Sequence, residues 1–221
     1  MKVKLLRYTN EPLRTIYIAA RTCYSGNTPE EIAKGAISRK TMESLVKKLV
    51  RAGHHSILEH VSFTFAISGI SRACSHQLVR HRIASYSQQS QRYTKPNEFV
   101  IPKTIEAQPD LKSKFINLIN KCFSFYDELQ KNNIPLEDAR FILPNAIKTN
   151  IVMTMNLREL IHAASLRLCN RAQWEIRELF GQIKAEIAKV DKFLAEMLVP
   201  KCEHLGCCPE PDSCGKEKRC N

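Results

Sequence analysis

The sequence predicts an α+β fold, a mixed or antiparallel sheet packed with long helices. Three observations predict it. Residues 61–68 (VSFTFAIS) and 148–155 (KTNIVMTM) carry the β-branched and aromatic residues and the alternation of strands. Residues 110–131 and 172–199 repeat apolar residues at three and four, as amphipathic helices do. Strands and helices do not alternate regularly, which argues against a parallel βαβ sheet.

The elements follow in order. MKVKLLRY reads as an opening or edge strand, and residues 12–22 as a short helix. Thr28-Pro29-Glu30-Glu31 has the pattern of a capping box with proline at the first helical position. Met42, Leu45, Val46, Leu49 and Val50 make residues 39–52 an amphipathic helix, which Gly53 stops. Residues 54–60 read as a polar loop before the strand 61–68. Residues 71–82 read as a helix, which sets Gln77, Arg80, His81 and Ala84 on neighbouring ridges. Asn132-Asn133-Ile134-Pro135 ends the helix 110–131, and residues 137–143 form a short helical piece before Pro144. Asn156, with Glu159 three residues on, caps a helix that follows the strand 148–155. Ile176, Leu179, Phe180, Ile183, Ile187, Val190, Phe193, Leu194 and Met197 form one apolar stripe over 172–199.

Length bounds the organisation. The 221 residues suit one large domain or two small ones. Residues 1–200 are expected to form the domain and 201–221 a Cys-rich tail. The charged N-terminus is not a signal peptide, and no apolar run approaches the roughly 18 residues of a membrane helix. A cytoplasmic protein is the expectation. The net charge of +12 leaves nucleic acid, membrane surfaces and phosphorylated small ligands as partners. No block of five or six like charges marks a nucleic-acid arm or a polybasic anchor.

The glycine spacings spell neither G-x-G-x-x-G nor a P-loop, and no G-x-S-x-G occurs. His54-His55-Ser56-Ile57-Leu58-Glu59-His60 matches neither H-E-x-x-H nor H-x-x-E-H, so it reads as a polar or ligand-facing loop rather than a zinc site.

The stretch RHRIASYSQQSQRY, from Arg80 to Tyr93, holds three arginines and a histidine and no acid. Arginine offers planar, bidentate donors to phosphate. Serine and glutamine add neutral donors and acceptors for a sugar or a base edge. Such a set suits an anion, whose charge offsets the repulsion among Arg80, Arg82 and Arg92. A solvated basic face is the alternative.

This stretch resembles the signature of the flavin-dependent thymidylate synthases: Arg80-His81-Arg82, seven residues, then Ser90. Gly53 to His60 followed by Phe63-Thr64-Phe65 is similar to their loop-plus-strand region. Ala139-Arg140-Phe141-Ile142-Leu143-Pro144 is similar to their A-R-x-x-L-P segment. Asn156 to Leu160, Leu166-Arg167 and Ala172 to Ile176 resemble their C-terminal block. The four matches are in order and span roughly residues 1–200.

The resemblance implies the thymidylate synthase-complementing fold and the methylation of dUMP to dTMP. Methylenetetrahydrofolate would supply the carbon, and NADPH the reducing equivalents through FAD. It implies Ser56, Arg80, His81, Arg82, Gln88, Asn156, Arg158 and His162 as FAD-binding residues. It implies Gln77, Leu78, Val79, Arg80, Gln88, Gln89, Ser90, Gln91, Arg92, Arg140 and Arg167 as dUMP-binding residues. Arg167 matches the arginine that activates the uracil ring by stabilising negative charge toward N3 and O2. The family usually has Asn where Ser87 stands, and often Glu where Gln88 stands. Ser90 has no general base at Ser-His spacing and reads as a phosphate ligand.

On an unbroken helix over 157–168, Arg158 and His162 share a face, and Arg167 lies on the other side. Sites shared between subunits would use both faces, and the resemblance implies a homotetramer of that kind.

The tail holds Cys202, Cys207, Cys208, Cys214 and Cys220 but no C-x-x-C pair. Without a secretory signal, disulfides are not the expected use of these cysteines. A reduced, partly disordered tail without metal is the leading expectation. Zinc on Cys202, Cys207, Cys208 and Cys214 is the lesser one. The alternative to the enzyme is a basic nucleic-acid-binding protein with a Cys/His metal-binding tail.

Overall fold

The computed structural model describes residues 1–220. In order, its elements are β1 (Lys2–Tyr8), α1 (Pro12–Thr22), α2 (Pro29–Lys34), α3 (Arg39–Arg51), a 3₁₀ helix (Ser56–His60), β2 (Ser62–Ser71), α4 (Arg72–Leu78) and β3 (Ala84–Gln88). They continue with α5 (Lys103–Glu106), α6 (Pro109–Lys131), α7 (Leu136–Ala139), a second 3₁₀ helix (Arg140–Ile142), β4 (Lys148–Asn156), α8 (Leu157–Arg167), α9 (Trp174–Ala188), α10 (Lys192–Glu196) and α11 (Lys201–Leu205). The strands form an antiparallel sheet in the order β1-β2-β4-β3, so the class is α+β as the sequence predicts. No helix among the described residues is long and apolar enough to cross a membrane.

The chain divides into two compact units. The first comprises residues 1–2, 67–80 and 87–152. Its longest helix, α6, packs against α5, α7 and the second 3₁₀ helix. Ile119, Tyr126, Ile147 and Ile151 are buried there, and the Phe99 ring lies 6.2 Å from that of Phe123. The second unit comprises residues 3–66, 81–86 and 153–220 of the described chain. Here α1 packs on α2 and α3, and α9 on α8 and α10. Phe63, Phe65, Leu160, Leu179, Phe180 and Ile183 are its sealed core. Full burial of each such side chain stabilises the fold by about 1.5–3 kcal/mol.

Local signals explain most element starts. Thr28 and Glu31 complete the capping box, Ser38 caps α3, and Asn156 Oδ1 accepts the Glu159 amide at 2.9 Å. Gly53, at φ +83°, ends α3 with a turn that a side chain would strain.

Four expectations are corrected. The helix over 71–82 ends at Leu78, with Val79 as its C-cap. His81 and Arg82 lie outside it, and Ala84 opens β3. The loop 54–60 contains a 3₁₀ helix because Ile57 and Leu58 are buried and pull the backbone inward. The helix 172–199 is broken between Ala188 and Lys192. There the Asp191 side chain accepts from the Leu194 amide at 3.2 Å and starts a new helix. The tail is not fully reduced: α11 is followed by a bridge between Cys208 and Arg219 and a disulfide between Cys207 and Cys220.

Candidate active site

In the second unit the site is built round His81. Its side chain is 4% exposed and packs on the Phe180 ring, 6.0 Å between centroids. Arg167 Nε, on the last turn of α8, donates to His81 Nε2 at 3.0 Å. A guanidinium can only donate, so Nε2 carries the lone pair and the imidazole proton sits on Nδ1. Nδ1 lies 3.3 Å from Glu159 Oε1. Burial first, then the charge of Arg167 and the nearby His162, lower the His81 pKa to about 4. His81 is therefore neutral at physiological pH. Burial raises the Glu159 carboxyl, against the pull of His162 and Arg158. Tyr86 donates its hydroxyl to the His81 carbonyl at 2.9 Å, and burial with Glu159 holds that phenol protonated.

Four other cofactor-assigned residues of this unit are exposed. His162 is exposed, and its ring meets that of His81 edge-on at 6.3 Å. Arg158 is exposed and pairs with Glu59 of the first 3₁₀ helix. Arg82 and Ser56 are exposed. Asn156 caps α8, which fixes the helix carrying Arg158, His162 and Arg167. Arg158 and Arg167 have different partners, as opposite helix faces would give. His162 and Arg167 nevertheless converge on His81, which the face count did not foresee.

In the first unit the nucleotide-assigned residues form a cationic group. Arg92 Nη2 lies 2.6 Å from Glu137 Oε2, and Arg140 Nε donates to the Glu137 carbonyl at 3.0 Å. Ser90 Oγ accepts the Arg92 amide at 3.1 Å. Arg72 is half-buried; burial and the charge of Arg140 both lower its pKa. Of the three arginines, Arg92 holds the Glu137 carboxylate, Arg140 holds the Glu137 backbone carbonyl, and Arg72 lies within the field of Arg140. Arg72 also lines a cavity of about 330 Å3 with Gln89, Gln91, Lys148, Thr149 and Asn150. Gln77 and Leu78 lie on α4, and Val79 and Arg80 are exposed on the turn after it.

The two positions that depart from the family pattern take opposite sides of β3, because strand side chains alternate. Gln88 turns inward and donates from Nε2 to Ser75 Oγ at 3.0 Å and to Thr149 Oγ1 at 3.3 Å. Ser87 is exposed.

Sequence reasoning missed Arg72, Glu137 and the role of Glu159 beside His81. Arg72 stands eight residues before Arg80 with no motif around it, and only tertiary packing brings it to Arg140.

The family model described as "Thymidylate synthase complementing protein" matches residues 4–191. The chain belongs to that family. Flavin-dependent thymidylate synthases from Thermococcus onnurineus and Pyrococcus horikoshii are 46% and 47% identical to it. The alignments cover 99% of this chain and 95% and 96% of those relatives. The flavin-dependent thymidylate synthase of Geobacter sulfurreducens is 44% identical over 98% of this chain and 94% of its own length. A crystal structure of a UMP/dUMP methylase, PolB from Streptomyces cacaoi bound with 5-Br dUMP, shares the fold with a TM-score of 0.81. It is 23% identical, and the match covers 89% of this chain and 93% of that one. The nucleic-acid-binding alternative finds no support among these family members.

The zinc expectation is corrected for Cys207, whose sulfur is bonded to Cys220. Among the described residues no group of three or more His, Cys, Asp or Glu is arranged to hold a metal ion.

Proposed function

We propose that the chain is a flavin-dependent thymidylate synthase that reductively methylates dUMP to dTMP. Methylenetetrahydrofolate is the carbon donor and NADPH the reductant. The observation that carries the reading is Arg92 and Arg140 on Glu137, on segments that match the family's nucleotide signature, with Arg72 in the field of Arg140. Arg92 is paired with a carboxylate and Arg140 with a neutral carbonyl, which leaves a positive surplus that a phosphate dianion completes. Ser90 and Gln77 stand on the same segments to take phosphate and sugar oxygens.

The residues of the second unit fit FAD by their donor chemistry. Arg82, Arg158 and His162 are exposed cationic or hydrogen-bonding groups, with Ser56 as a neutral donor. When bound, FAD supplies the hydride chemistry. The protein supplies orientation and field. Arg167 sets its positive charge where negative charge grows on the uracil ring toward N3 and O2. His81, neutral and with its acceptor toward Arg167, holds that guanidinium in place without competing for its charge. Glu159 keeps the imidazole proton on Nδ1. The working form is a cytoplasmic homotetramer whose subunits share sites, a reading supported by the different partners of Arg158 and Arg167.

The test is the visible absorbance of the purified protein. A yellow protein, or one that turns yellow on adding FAD, should bleach with NADPH without air. In the same assay Arg167→Ala should keep the flavin spectrum and lose dTMP formation by at least about 100-fold. A chain that takes up no flavin overturns the reading, and a fully active Arg167→Ala overturns the role of Arg167.

A further inference from the structure

Next to the His81 site, the second unit holds a cavity of about 280 Å3 walled by the end of α8 and the tail. Four free thiols line it: Cys169, Cys202, Cys208 and Cys214. Arg167 stands in the same wall. The thiols differ in access. Cys202 and Cys208 are buried, Cys169 is half-buried and Cys214 is exposed. Asn170, the neighbour of Cys169, points its Nδ2 at Cys214 Sγ, 3.7 Å away. That contact sets Cys214 against the residue that follows Cys169, and both cysteines line the one cavity. The tail already carries one disulfide, Cys207–Cys220.

We propose that Cys214 and Cys169 form a thiol–disulfide exchange site for disulfides of low molecular mass, which staples the tail to the Arg167 end of α8. The first step is attack of the Cys214 thiolate on one sulfur of the external disulfide. That S–S bond breaks, and the departing half takes up the proton that Cys214 gave. The Cys169 thiolate then attacks Cys214 sulfur, forms the protein disulfide and releases the second half as a thiol. The protein loses two hydrogens and the external disulfide gains both. Cys202 plays no first-step part: burial raises its pKa and keeps it a thiol. A metal is not the better occupant, since the thiols are not gathered for one.

The experiment needs no enzymatic activity, so its outcome is separate from the reaction proposed above. The full-length protein is treated with oxidised glutathione, and its mass and cysteine peptides are then mapped. The wild type should lose two hydrogens and yield a Cys169–Cys214 cross-linked peptide. Cys169→Ser should stop with one glutathione on Cys214, and Cys214→Ser should stay unmodified at Cys169. A wild type that stops at a glutathione adduct overturns the proposal. So does a cross-link formed through Cys202, Cys208, Cys23 or Cys122 instead. Far-ultraviolet circular dichroism of both variants, matching the wild type, excludes misfolding as the cause of a missing cross-link.

Discussion

At the residue scale, His81 decides most. Two donors and acceptors of fixed sense hold it: Arg167 Nε gives to Nε2, and Glu159 faces Nδ1. With a folded pKa of about 4 against 6.5 in the unfolded chain, only the unfolded chain binds a proton between those values. Stability from this group is full above pH 6.5 and falls as the pH drops toward 4. Glu159, whose carboxyl is raised, acts in the opposite sense and offsets part of the loss. Between pH 7 and pH 5 the His81 part is worth about 2 kcal/mol. Urea unfolding of the wild type and His81→Gln at the two pH values should show the variant losing less stability on acidification. Equal losses would remove the neutral, buried His81 from the account.

At the element scale, caps and periodicity made much of the fold readable. The starts of α2, α3 and α8 depend on side chains within three residues, so a linear reading finds them. The strand β2 and the helix α6 announce themselves by composition. The errors fall where distant partners decide. The helix expected over 71–82 stops at Leu78 although Arg80-His81-Arg82 carries no local stop signal; the burial of His81 against Phe180 draws the chain away. The break before α10 is hidden because Ile187, Val190, Phe193 and Leu194 keep the apolar stripe running through it. Asp191 makes the break. It caps α10 and accepts from Arg39 Nη2 at 2.8 Å. The Arg39 partner is more than half exposed, so the cap is the larger contribution. Asp191→Ala should cost about 1–2 kcal/mol, and Asp191→Asn, which keeps a cap acceptor, clearly less. Denaturation midpoints measure both, and equal losses in the two variants would reject the cap.

At the scale of the whole molecule, the net charge of +12 goes with ligands that bring their own negative charge. The chemistry of the site was legible as a surplus of donors, but its grouping was not. Arg72 meets Arg140, and Arg92 meets Glu137, only after some 45 to 68 residues of intervening chain have folded. The order of motifs could name those residues; it could not give their partners. If subunits share sites, the assembly is part of the catalyst. Sedimentation should then give a tetramer at assay concentrations. An active monomer would end the shared-site reading.

The fixed sense of the His81 hydrogen bonds also makes the ring a built-in spectroscopic gauge. A proton parked on Nδ1 gives the two ring nitrogens widely different nuclear magnetic resonance frequencies. That separation should persist unchanged across the neutral pH range. Any ligand that shifts the Arg167 guanidinium would alter the Nε2 signal first. Substrate arrival could thus be followed at one nitrogen atom, before any product is made.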